Sequence, residues 1–144
     1  FPMETLFESY IAVQLKRLLN NSDYTVSAQD KTHHLFENPT KFLMKPDIVI
    51  KNDSNVFVMD TKWKLLSEAK ANYGISQADM YQMYAYQKKY SAESVTLLYP
   101  MTDKVNAEKE IKYSSLDGVT VKAKFVDLFN VKESLQEIIS EVLL

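Results

Sequence analysis

The sequence predicts an α/β fold, a mixed β-sheet flanked by helices, with elements in the order α-β-β-β-α-β followed by a β-α tail. Three observations carry this expectation. Apolar side chains recur at helical spacing in three separated segments, strand-like runs lie between them, and one of those runs is almost wholly apolar, as a strand covered on both faces must be.

The first helix is expected over Met3–Leu19, where Met3, Leu6, Phe7, Tyr10, Ile11, Leu15, Leu18 and Leu19 form one stripe. Asn20, Asn21, Ser22 and Asp23 offer the backbone competing hydrogen bonds and end it. Tyr24–Gln29 alternates weakly, as a short strand does, and the polar stretch Asp30–Lys41 reads as a connection with a turn at Asn38-Pro39. Phe42–Ile50 is strand-like but contains Pro46, so a bulge or an irregular register is expected there. Lys51–Asn55 is dense in turn formers and Val56–Trp63 is β-rich, so the two runs read as an antiparallel hairpin. Gln77–Tyr90 is expected as a second helix, with Met80, Tyr84 and Gln87 on one side and Met83 and Tyr86 nearby. Ser94–Tyr99, closed by Pro100, is the continuous apolar run. Val119–Leu128 alternates like a strand with one wet face, and Val131–Leu144 repeats Leu135, Ile138, Ile139 and Val142 at helical spacing. Glu133, Glu137 and Glu141 give that last helix a solvated acidic stripe. With no repeat, low-complexity tract or second core, residues 1–144 are expected to form one domain.

Composition narrows the chemistry. The absence of cysteine removes disulfides, thiolate catalysis and Cys-based zinc sites. A net charge of −2 means that any nucleic-acid function needs a local basic site or a partner, because no global positive field exists. No apolar run approaches the length of a membrane span, and the start has neither a basic nor a hydrophobic leader region. Because position 1 is Phe, the chain is expected to be part of a longer protein.

The hairpin carries the candidate chemistry. Asp47 falls on its first strand and Asp60 with Lys62 on its second, and residues two apart project to the same face. Two carboxylates and the Thr61 backbone carbonyl are hard oxygen ligands of the kind Mg²⁺ takes. Lys62 beside them is placed to orient or deprotonate a water or to stabilise charge on a phosphate. His33 and His34, adjacent on an extended segment, point to opposite faces and do not ligate one metal together. Trp63 and the tyrosines of the second helix read as core, and Lys64 and Lys88 are candidate phosphate contacts.

Pro46-Asp47 followed by Asp60-Thr61-Lys62 resembles the PD-(D/E)XK signature of restriction-endonuclease-like enzymes, and Gln82 through Tyr86 resembles the QxxxY motif of several nuclease families. With Leu6–Tyr10, Lys45–Ile50, Met59–Leu66 and Asp79–Tyr86 in order, roughly the first hundred residues resemble the McrC family, the nuclease subunits of McrBC modification-dependent restriction systems. The resemblance implies a restriction-endonuclease-like fold and Mg²⁺-dependent cleavage of duplex, modified DNA, with Mn²⁺ able to substitute. It also implies a cytoplasmic protein working with a McrB-like AAA+ GTPase, whose binding region would lie outside this chain. By the same resemblance Asp47, Asp60 and the Thr61 carbonyl would ligate metal, Lys62 would be the catalytic lysine, and Glu8 would assist a metal or its water. Gln82 would support the site near Lys62, and Tyr86 would pack beside it or touch DNA. Two other readings stand beside this one: a repair or recombination nuclease of the QxxxY type, and a non-catalytic nuclease-fold assembly module.

Overall fold

The computed structural model describes residues 2–143. Helix α1 (Met3–Leu18) buries Phe7, Ile11, Ala12 and Leu15, the stripe its spacing dictates. Strands β1 (Thr25–Ala28), β4 (Ile48–Lys51), β5 (Val56–Thr61), β6 (Ser94–Pro100), β7 (Ile111–Ser114) and β8 (Thr120–Val126) form a six-stranded sheet. Its spatial order is β1-β4-β5-β6-β8-β7, with β6 parallel to both neighbours and every other pair antiparallel. The sheet is therefore mixed, as expected. Two remaining strands, β2 (His34–Glu37) and β3 (Thr40–Leu43), pair only with each other.

Helix α1 and helix α3 (Val131–Val142) cover one face of the sheet, where Ile48, Ile50, Phe57, Met59 and Leu98 meet Leu15 and Leu135. Helix α2 (Gln77–Tyr90) covers the other, packing Met83, Tyr86 and Tyr90 against Val49, Val58, Val95 and Leu97. Alternation along β5 thus sends Phe57 and Met59 to one layer and Val58 to the other. At about 1.5–3 kcal/mol for each fully buried aliphatic side chain, this two-sided burial is what holds β5 in the middle. Ser76 caps α2 by accepting the Asp79 N–H at 3.0 Å, a contact worth about 1 kcal/mol that fixes the first turn of the helix. Gln87, buried in α2, accepts the Thr120 N–H at 2.9 Å and donates to the Gly118 carbonyl at 3.2 Å, tying the helix to the start of β8. Among the described residues no helix is long and apolar enough to cross a membrane.

Four expectations change. Phe42–Ile50 is not one strand: the backbone leaves β3 at Leu43 and enters β4 only at Ile48, with Pro46, which has no N–H for a ladder, in the gap. The polar stretch before it is not a plain connection, because His34–Glu37 and Thr40–Leu43 fold onto each other as the β2–β3 ribbon around Asn38-Pro39. In the tail, Ile111–Ser114 adds a strand that the sequence reading passed over, joined to β8 through a turn in which Gly118 has φ 94°. In α2 the buried face is Met83, Tyr86, Gln87 and Tyr90, while Tyr84 is 40% exposed, so the apolar side lies one step round the helix from the expected one.

Candidate active site

Asp47 sits immediately before β4, and Asp60 is the penultimate residue of β5. The antiparallel register, Ile48 opposite Met59, brings the two aspartates together at the same end of the sheet. They are locked by reciprocal hydrogen bonds: the Asp47 N–H donates to Asp60 Oδ1 at 2.9 Å, and the Thr61 N–H and hydroxyl donate to Asp47 Oδ2 at 2.8 and 3.0 Å. Each carboxylate is therefore oriented by the other strand, which is the positioning a two-strand site needs. Asp60 is only 4% exposed. Burial, and then the negative charge of Asp47, push its carboxyl up to about 6, against the hydrogen bond from Asp47 and the charge of Lys62.

Lys62 follows β5 and reaches back to this pair. Its ammonium lies 3.1 Å from Asp60 Oδ2 and 3.3 Å from Asp79 Oδ1, and it donates to Gln82 Oε1 at 3.2 Å. Burial alone would lower it, but the Asp60 and Asp79 carboxylates outweigh burial and hold it above the ordinary lysine value. The ion pair is unequal: Lys62 is stabilised as a cation by two anions, while Asp60 gains less from one cation than it loses to burial and Asp47. In this arrangement Lys62 is held in its charged form by the carboxylates around it.

Glu8 approaches from α1. Its carboxyl accepts from the Gln29 side chain, and Gln29 is itself pinned by its backbone N–H donating to the Asp47 carbonyl at 2.9 Å. Burial, a hydrogen bond to Asp47 and the Asp47 charge push Glu8 up to about 7, with Gln29 acting in the opposite sense. Glu8 thus lies close enough to Asp47 for that carboxylate to disfavour its ionised form. Tyr86, 4% exposed, lies at the floor with Gln82, and burial together with Asp60 and Asp47 raises its phenol.

Glu8, Asp47, Asp60, Thr61, Lys62, Lys64, Gln82 and Tyr86 all line one cleft of about 380 Å³. Tyr86 is too enclosed to stack on a base, so of its two expected positions it takes the packed one. Lys64 donates to the Gly74 carbonyl at the rim. Lys88 does not join the cleft: it pairs with Asp117 at 3.1 Å near the far end of α2. Trp63 is not core but 37% exposed, resting on Phe7 with ring centroids 5.3 Å apart. Asp79 and Gln29 were missed by the sequence reading. The signal for Asp79 was present, since 79, 82 and 86 fall on one helical face, whereas nothing local marks Gln29.

The donor set fits a hard divalent cation. Mg²⁺ binds through one or two carboxylates and keeps several waters, and Asp47 and the buried Asp60 are two neighbouring carboxylates whose mutual repulsion a cation would relieve. Among the described residues no group of three or more His, Cys, Asp or Glu is arranged to hold an ion, so the fit rests on this strand-borne pair and the Thr61 carbonyl.

No curated protein matches the chain. A solved structure titled "Crystal structure of SSO0001" is similar at 13% identity with a TM-score of 0.46, over 97% of this chain and 59% of that one. The chain thus spans about three fifths of that protein's length. A family profile described as "McrBC 5-methylcytosine restriction system component" matches residues 1–100, the stretch that contains every residue of the cleft. The chain belongs to the McrBC 5-methylcytosine restriction system component family.

Proposed function

We propose that this chain is the restriction-endonuclease-like nuclease domain of a McrC-type subunit, cleaving phosphodiester bonds of duplex, modified DNA with Mg²⁺ in concert with a McrB-like AAA+ GTPase. The observation that carries the reading is the reciprocal lock of Asp47 and Asp60 with Lys62 held 3.1 Å from Asp60. Asp47, Asp60 and the Thr61 carbonyl would hold the ion, with Mn²⁺ as a substitute. When bound, it supplies Lewis acidity and positive charge for the phosphate. Lys62 supplies a second, permanent positive charge where negative charge accumulates on the phosphate, and Gln82 and Asp79 keep its ammonium aimed into the cleft. Glu8, carrying a proton near neutrality, is placed to give or take that proton at the Asp47 side of the cleft.

The test is cleavage of plasmid DNA, modified and unmodified, by the chain with its GTPase partner in Mg²⁺ or in chelator. Asp60→Ala and Lys62→Ala should abolish cutting while the melting transition persists. Cutting retained by either variant would refute the assignment.

A further inference from the structure

The β2–β3 ribbon is an arm with one root, Lys45, in the cleft and the other, Gln29, bonded to a cleft residue. The chain leaves the sheet at Gln29, whose side chain holds Glu8, and returns through Lys45, which lines the cleft, to Asp47. Its base is fastened to the helix behind the site. The His33 ring packs edge-on against Tyr90 at 4.4 Å and the Tyr90 hydroxyl donates to Asp30 at 2.7 Å, while at the turn end of the ribbon Glu37 pairs with Lys89 of the same helix.

Beyond that base the ribbon carries aromatic side chains into solvent. Phe42 is 71% exposed and Phe36 54%, with ring centroids 6.1 Å apart. Alternation in a regular ribbon would put these two rings on opposite faces, given that Phe36 pairs with Lys41. They meet because Phe42 has φ 63°, in the left-handed region that bulky side chains avoid. A strained backbone that delivers an aromatic ring to water gains no packing from the strain, and such outliers cluster at ligand sites.

The charge on the arm points to the occupant. Lys31, Lys41 and Lys45 are exposed, and among the described residues none of them pairs with a carboxylate. The two acidic residues of the same segment are already engaged, Glu37 by Lys89 and Asp30 by Thr32 and Tyr90. What the arm presents is therefore positive charge around an exposed aromatic pair. Duplex DNA has the complementary pattern: its groove admits a two-stranded ribbon, phosphates line the edges, and base steps accept Phe wedges.

We infer that the β2–β3 ribbon is a DNA-engaging arm that sets its lysines on the phosphate backbone and presses the Phe36–Phe42 pair against a base step of the duplex held in the cleft. This rests on the nuclease reading of the cleft. The test uses the chain at low ionic strength, with Ca²⁺ to prevent turnover, and a fluorescent duplex containing 2-aminopurine. The double variant Phe36→Ala/Phe42→Ala should bind about tenfold more weakly and lose the unstacking signal, with its melting transition unchanged because both rings are exposed. Lys31→Gln/Lys41→Gln should reduce the salt slope of binding by about two while keeping the unstacking signal at saturation. Wild-type affinity and unstacking in the Phe variant would overturn the inference. So would a sedimentation result in which the Phe variant turns a dimer into a monomer with unaltered DNA affinity, which would make the ribbon a protein interface. Plasmid cleavage by the same preparations separates the two readings. If wild type cuts, Asp60→Ala does not, and the Phe variant behaves as wild type, only the arm fails; if wild type unstacks the duplex through the ribbon but never cuts, only the cleft reading fails.

Discussion

Two clefts among the described residues differ in size and in what lines them. Beside β8 and α3 lies a depression of about 820 Å³ with Met101, Phe125, Leu128 and Ile138 among its apolar lining and Glu137 and Glu141 among its acidic residues. The cleft at the ends of β4 and β5 is less than half that volume, about 380 Å³, yet Asp47, Asp60 and Lys62 converge there with every partner defined. Glu137 and Glu141 of the larger depression lie on an exposed face of α3, and Glu141 is spent on Lys124. In the smaller cleft Glu8 and Asp60 are drawn partly or wholly out of water beside Asp47, and that raises both carboxyls. Chemistry follows desolvated, cross-braced charge and not volume.

The strongest way to break this comparison is to neutralise one strand-borne carboxylate. Asp47→Asn should remove the calorimetric heat of Mg²⁺ binding and lower cleavage on the order of a thousandfold, since the site has only two strand-borne carboxylates. Persisting metal heat would mean that the ion does not sit on this pair. A change on the other side should do the reverse. Ile138, 4% exposed, lines the larger depression, and Ile138→Ala should cost about 2–5 kcal/mol in denaturant unfolding while the folded fraction cuts at the wild-type rate. A matching loss of turnover would give that depression a functional share.

Smaller effects sharpen the picture within the small cleft. Asp79→Asn removes one of two anions around Lys62 and leaves Asp60 and Gln82 in place, so kcat should fall by about tenfold with Mg²⁺ affinity retained. An unchanged kcat would mean that Asp60 alone aims the lysine.

The smallest effect is a pH dependence of the metal-free protein. Glu8 rises from 4.5 to about 7 and Asp60 from 3.8 to about 6, so the folded chain keeps protons that the unfolded chain releases. Their stabilising share is complete in acid, below the unfolded values, and is lost as pH climbs through about 6 to 7. In chelator, the difference in stability between wild type and Glu8→Gln should therefore shift against wild type as pH climbs through about 7, and Mg²⁺ should restore wild type at neutral pH. A flat difference curve from acid to neutral pH would remove Glu8 from the carboxylate cluster.

Much of this was legible along the chain. The bounds of α2 agree with its periodicity, the β4–β5 hairpin with its Asn- and Asp-rich turn, and the apolar β6 with its position between covered faces. The misses have physical causes. The β2–β3 ribbon buries almost nothing, so it has no hydrophobic alternation to announce it. Strand β7 is four residues at a sheet edge, signalled only by Ile111, Tyr113 and the Asp117-Gly118 turn. In α2 the aromatics encircle the helix, and which of them are buried depends on where β6 and β8 lie.

Element type and order are local properties, set by side-chain period and by residues that start or stop a backbone conformation, and the chain carried them openly. The Asp47, Asp60 and Lys62 spacing was equally local, because one hairpin holds all three. Folding alone brought Glu8 with Gln29 from one side and Asp79 from the other, held Lys62 as a cation, and left the Phe36–Phe42 pair in solvent. Those outcomes depend on contacts between segments far apart in the chain, and on burial, which no window of sequence contains.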